Sequence, residues 1–160
     1  MPEPRWLDAE QQQIWRAVLA GYARLNHQIE RDLVPFGLSH PEYEVLVRLS
    51  ESPQRRRRMA DLARESLQSR SRLTHTVERL ERGGLVRREA CPGDGRGVLA
   101  VLTDQGFQTL HTAAVNHAEG VLRYVFDGAS REDLAAVGRV FTAIAERLGE
   151  DGSRLDAPAV

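Results

Sequence analysis

Lysine is absent from this chain. All 22 basic residues are arginine, set against 23 acidic residues. Cysteine occurs once, at Cys91, which excludes a disulfide framework and a cysteine-based zinc site. No apolar run approaches the ~18 residues that a spanning helix needs. Met1-Pro-Glu-Pro-Arg lacks the charged-then-apolar order of a secretory leader. A cytoplasmic location without membrane contact is therefore expected. A Walker loop, a GxSxG elbow and an HExxH helix are all missing, so no enzyme is expected. The five histidines (His27, His40, His75, His111 and His117) form no compact ligand set. His111 and His117 are too far out of phase to chelate from one helix face. No metal and no cofactor is expected. What remains is 160 residues, 41% of them hydrophobic, enough for one folded domain with a real core.

The near-neutral net charge of -1 hides an uneven distribution. Residues 55–96 carry 12 arginines against 6 acids, while the rest of the chain sums to -7. A basic segment between acidic flanks is the footprint of a polyanion partner. The arginine-only composition itself has two readings. One is the codon usage of a GC-rich genome; the other is recruitment of guanidinium for phosphates and base edges.

Hydrophobic periodicity organises the chain into helices. Ile14, Val18, Tyr22, Leu25, Ile29 and Leu33 recur at helical spacing and predict a long helix over 8–34, ended by Pro35-Phe36-Gly37. Ser39 and Glu42 stand at capping-box spacing before Val45, Leu46 and Leu49. Met59, Leu62 and Ala63 mark a short helix, followed by a turn at Leu67-Gln68. Ser69 then opens a helix with Leu73, Val77 and Leu80 inward, stopped by Gly83-Gly84. Two short helices joined by a tight turn make a helix-turn-helix candidate. Leu85–Glu89 and Val98–Leu102 read as strands around a glycine-rich loop at 90–97. Thr103 caps a further helix, with Phe107, Leu110, Ala114, Val121, Leu122 and Val125 on its apolar face. Ser130 caps the last helix, whose Leu134, Val137, Phe141, Ile144 and Leu148 form a heptad-like seam. That seam suits helix pairing and ordinary core packing equally. Residues 150–160 read as a disordered tail.

The segments Met59-Ala-Asp-Leu-Ala, Ser69-Arg-Ser-Arg-Leu-Thr-His-Thr-Val-Glu-Arg-Leu-Glu-Arg-Gly-Gly-Leu-Val-Arg-Arg and Asp94-Gly-Arg-Gly-Val-Leu-Ala-Val-Leu-Thr-Asp-Gln-Gly carry a resemblance. In this order they resemble the MarR family of winged-helix transcriptional regulators. The implied fold is mainly α with a small β-hairpin wing: a winged helix-turn-helix over 39–103, flanked by helical dimerisation regions at 8–34 and 104–149. The resemblance implies a homodimer on a pseudo-palindromic operator, usually a repressor, relieved by a small-molecule effector or by oxidation. The alternative is a helical dimeric module that binds ligands or proteins without specific DNA recognition.

The helix opened by Ser69 turns Arg70, Ser71, Thr74, His75 and Glu78 away from its apolar side, with Arg72 and Arg79 on the flanks. A helix of this kind fits a major groove, and Arg70 or Arg72 suits a guanine edge. Ser69, Arg79 and Arg88 are further candidates for the DNA surface. Arg96, among the glycines of the loop, is the candidate for a narrow minor groove. By resemblance, Asp94 pairs with and orients it. In the family a short strand precedes the Met59 helix, so one or two of Arg55–Arg58 at most are expected on phosphates. Trp15, Tyr22, Tyr43, Phe107 and His111 are the candidates for an effector pocket, although each also reads as plain core. Cys91 reads as incidental rather than as a redox sensor.

Overall fold

A computed structural model describes residues 4–66 and 68–149. The tail expected at 150–160 and Leu67 of the expected turn lie outside the described residues. Helix α1 spans Ala9–Leu33, α2 His40–Glu51, α3 Met59–Glu65 and α4 Arg70–Arg82. Strand β1, Arg56–Arg58, precedes α3, and β2 (Val86–Cys91) and β3 (Asp94–Leu102) follow α4. Helices α5, Asp104–Val121, and α6, Arg131–Gly149, complete the chain.

Local chemistry sets the ends of these helices. The Gln11 amide donates to Asp8 Oδ1 at 2.8 Å, and the Gln11 side chain accepts from the Asp8 amide at 3.1 Å. This reciprocal cap satisfies amides that α1 would otherwise leave bare. The Ser39 amide and hydroxyl both donate to Glu42 Oε2, at 2.8 and 2.7 Å. Thr103 Oγ1 accepts from the Gly106 amide at 2.9 Å, and Ser130 Oγ from the Asp133 amide at 3.1 Å. After α4 it is Gly84, at φ 71°, that takes the left-handed turn.

The core lies in the centre of the chain. Leu46 and Leu49 of α2, Leu62 of α3, and Leu73, Val77 and Leu80 of α4 are buried together with Val86, Ala100 and Leu102 of the sheet. Each fully buried leucine contributes about 2 kcal/mol. Leu33 and Ile29 bring the last turns of α1 onto this core, and Leu110 and Ala113 bring the first half of α5. The rest of α1 projects away from it.

The sheet has three strands, in the order β1-β3-β2, all antiparallel, so the short strand that the resemblance implies before the Met59 helix joins the wing. The wing differs from its expected form in one respect. The eight-residue loop expected at 90–97 is instead mostly strand. β2 runs to Cys91, β3 starts at Asp94, and only Pro92-Gly93 turns the hairpin, with a bulge after Ala90. The reason is that the glycine at 97 serves close packing and not a turn. A Cβ there would lie 2.8 Å from both Cys91 Cβ and Asp94 Oδ2.

The helix expected to run from Thr103 through Val125 changes its winding at Val121. Residues Leu122–Phe126 form a π turn, closed by the Asp127 amide on the Leu122 carbonyl at 2.9 Å.

Candidate nucleic-acid interface

Helix α4 lies between two grooves. The first, about 530 Å³, separates it from α1 and α2 and is lined by Ser69, Ser71, Arg72, His75 and Arg79, opposite Glu30, Ser39 and Glu42. The second, about 450 Å³, separates it from the sheet and is lined by Arg70, Thr74, Arg88 and Asp94, together with Arg58 and Gly97. Nine of the ten candidate residues for the DNA surface thus line the two flanks of one helix. The tenth, Arg96, stands in β3 next to Gly97; its side chain is not described.

Local sequence explains this placement. Ser69 Oγ accepts from the Arg72 amide at 3.2 Å and starts the helix. Leu73, Thr76, Val77 and Leu80 face the core, so Arg70, Ser71, Arg72 and His75 are exposed. Thr74 Oγ1 donates back to the Arg70 carbonyl at 2.9 Å, and His75 Nδ1 lies 3.4 Å from Glu78.

Ion pairing sorts the arginines of the basic segment. Arg55 meets Asp104, Arg57 meets Glu65, Arg58 meets Asp94, and Arg64 meets Asp61. Arg79 meets Glu42, Arg87 meets Glu89, and Arg88 meets both Glu78 and Glu81. Among the described residues no acidic side chain pairs with Arg56, Arg70, Arg72 or Arg82. The uncompensated positive charge therefore sits at the N-terminal end of α4, at its C-terminal end and on β1. Arg70 and Arg72 share the first of these places, where the free amides of the helix also favour an anion.

Two candidates have evident structural partners. Arg79 Nε lies 3.1 Å from Glu42 Oε1, and Glu42 is only 4% exposed. A buried carboxylate needs such a partner, so Arg79 ties α4 to α2. The capping-box pattern located Glu42 but gave no sign of this second role. Arg88 donates from Nε to Glu81 at 2.9 Å, and its amide reaches the same carboxylate at 3.1 Å. These hydrogen bonds hold the Glu81 carboxyl below its ordinary range. Asp94 accepts from Arg58 Nη1 at 2.8 Å, a partner that spacing did not suggest.

The five pocket candidates are not gathered in one place. Tyr43 is buried, its ring 4.8 Å from that of His117. Phe107 lies half-buried under the Arg55 guanidinium, 3.8 Å from ring centroid to carbon. His111 is exposed on α5, and Trp15 and Tyr22 are exposed on α1. Neither groove beside α4 includes any of them. Cys91 is a half-buried free thiol beside Asp94 and Gly97.

A helix-turn-helix completed by a three-stranded wing, with unpaired arginines at the head of its exposed helix, defines a winged-helix module of the nucleic-acid-reading class. Sequence and structure comparisons give the family. The MarR family profile matches residues 36–97. The chain is 32% identical over 129 residues to the HTH-type transcriptional repressor Rv2887 of Mycobacterium tuberculosis, covering 81% of this chain and 88% of that one. The crystal structure of Sco3205, a MarR family transcriptional regulator from Streptomyces coelicolor in complex with DNA, superposes with a TM-score of 0.88. It is 44% identical, over 91% of this chain and 92% of that one. AbsC, a MarR family regulator from the same organism, superposes with a TM-score of 0.88 at 45% identity, over 92% of this chain and 99% of that one. The chain belongs to the MarR family of transcriptional regulators. No helix among the described residues is long and apolar enough to cross a membrane.

Proposed function

We propose that the chain is a transcriptional repressor that acts as a homodimer on a pseudo-palindromic DNA operator. The observation that carries the reading is the coincidence of exposure and uncompensated charge at the head of α4. There, among the described residues, no acidic partner meets Arg70 or Arg72 at the end of the helix that a major groove would meet. The wing, with Arg96 near its tip, reaches the adjacent minor groove. That a relative carries the name of repressor, and that a similar regulator crystallised with DNA, supports the same reading.

The dimer rests on apolar surface. Ile14, Trp15, Val18, Leu19 and Tyr22 of α1 are exposed, as are Val137, Val140, Phe141, Ile144 and Leu148 of α6. Helix α6 buries none of its residues. A single chain rarely leaves two such apolar helix faces in water. A second copy covers them, making 8–34 and 104–149 the joint and 39–103 the reading head. An effector pocket that uses Trp15 and Tyr22 then exists only where two copies meet, with Tyr43 and Phe107 as neighbouring core.

Fluorescence anisotropy tests the reading, with a duplex enriched by the protein from a random-sequence library and a scrambled duplex of equal length. Specific binding lost by about 1–3 kcal/mol in Arg72→Ala is the expected result. Binding no tighter to the enriched than to the scrambled duplex would favour a dimeric module without specific DNA recognition.

A further inference from the structure

The groove between α4 and the sheet holds three guanidiniums in three different electrostatic situations. Arg88 is compensated twice, by Glu81 and Glu78. Arg70 has no acidic partner among the described residues. Arg58 lies between these cases. It is the last residue of β1, paired in register with Leu99, and β3 runs on past it toward the hairpin turn. Arg58 reaches along this overhang to Asp94, which accepts from its Nη1. A guanidinium carries five N–H donors, so one carboxylate contact leaves most of them for another acceptor. The pair is also half-exposed, at 49% and 42%. An ion pair this wet is worth little by itself, so its residual charge is available to an incoming anion.

Floor and width fit an anion that arrives with a chain attached. Gly97 has no side chain to fill the groove, and Thr74 forms part of the wall opposite. The lining carries three guanidiniums and one carboxylate within about 450 Å³. Elements on both sides belong to the two parts of a winged helix that engage neighbouring DNA grooves, and a backbone strand separates those grooves.

We infer that this groove is a phosphodiester site, in which Arg70 and an Asp94-oriented Arg58 together take one phosphate of the DNA backbone. The inference rests on the DNA-binding reading above and assigns Arg58 a contact within it. Asp94 thereby acts as a positioning residue through Arg58. Arg88, held by its own carboxylates, forms a wall of the site and does not neutralise the phosphate.

The test is the salt dependence of binding to the enriched duplex, measured for the wild-type chain, Arg58→Gln, Arg58→Lys and Arg88→Gln. Each neutralised phosphate contributes about 0.9 to the slope of log affinity against log salt. Arg58→Gln is expected to lower the slope by about 0.9 per protomer, roughly 2 for a dimer. Arg58→Lys should restore it, and Arg88→Gln should leave it unchanged. Asp94→Asn should weaken binding although it removes a negative charge, and its effect should shrink in the Arg58→Gln background. An unchanged slope in Arg58→Gln overturns the inference, whether or not affinity falls, because a purely structural role lowers affinity without releasing fewer counterions. Equal slope losses in Arg58→Gln and Arg88→Gln, or tighter binding by Asp94→Asn, overturn it too. A wild-type chain that binds no duplex refutes the DNA-binding reading itself, and that result is visible before any variant is made.

Discussion

Helices α4 and α6 are written in the same language and end in opposite situations. Both carry apolar residues three and four apart. In α4 that stripe disappears into the chain's own core, with Val77 fully buried. In α6 it stays in water, with Phe141 still 48% exposed. Periodicity states that a helix has an apolar face; it does not state whose surface that face will meet. The centre of the chain is finished by itself, while its two ends leave apolar faces in water. The charges follow the same division, since in the centre most arginines are matched to carboxylates, and among the described residues a few at the two ends of α4 and on β1 are left for a partner.

The comparison can be broken from either side. The largest effect is expected at Gly106, in the first turn of α5, which packs against the Leu85 carbonyl. A Cβ there would lie 2.1 Å from the Leu85 carbonyl oxygen and 2.8 Å from Leu102 Cδ1. Gly106→Ala should cost about 3 kcal/mol or more, read as a lower urea midpoint. Wild-type stability would show that α5 docks less tightly than described. Next comes Phe141→Glu, which places a charge on the exposed seam. It should weaken the dimer by about 2 kcal/mol, roughly a 30-fold change in dissociation constant by sedimentation, and leave the helical circular dichroism signal intact. An undisturbed dimer would place the joint elsewhere.

A smaller effect of opposite sign belongs to the turn between α2 and β1. Gln54 and Arg55 both stand at positive φ, 56° and 53°, a conformation that side chains other than glycine resist. Gln54→Gly should stabilise the chain by about 0.5–1 kcal/mol. Arg55→Gly should not match it, because it also removes the guanidinium from Phe107 and Asp104. Equal thermal shifts would deny Arg55 that anchoring role.

The smallest effect is a pH dependence at the junction of centre and ends. His117 of α5 packs on Tyr43 of α2. Burial, and then the charge of His40, push its pKa below the ordinary 6.5, against weaker pulls from Asp32 and Glu44. With the folded value depressed, the unfolded chain binds more protons. The contribution is therefore present above about pH 6.5 and is lost as pH falls through the histidine range. Denaturation midpoints taken between about pH 7.5 and 5.5 should fall less steeply for His117→Gln. Parallel curves for the two proteins would remove His117 from the account.

Much of the centre was legible because its signals are local. Ser39 with Glu42, Ser69, Thr103 and the Gly83-Gly84 stop each act within a few residues, and each stands where the pattern placed it. What was not legible depends on contacts across the chain. Strand β1 is three arginines long and has no apolar alternation, so the family resemblance signals it where periodicity cannot. The hairpin turn shrank because Gly97 faces Cys91 across the strands, which no single-strand pattern reveals. Arg79 looked like one more exposed cation of a reading helix, and only the fold brings buried Glu42 beneath it. The pocket candidates follow from the pocket that the resemblance implies between the flanking helices and the winged helix. Trp15 and Tyr22 lie on the outward part of α1, and Tyr43 lies in the core, so one expectation covered residues with different partners.

The π turn at Leu122–Phe126 acts as a phase adjuster. It spends one residue more than a regular helical turn would, and one residue is about 100° of rotation. The face that α5 turns toward the reading head is thereby out of step with the face on which Leu122, Tyr124 and Phe126 stand exposed. In the proposed dimer this offset fixes how the two heads are clocked about the joint, and so which spacing of half-sites along the double helix they can reach together. Deleting a single residue here would leave every base-reading side chain in place and still change the operator the dimer fits.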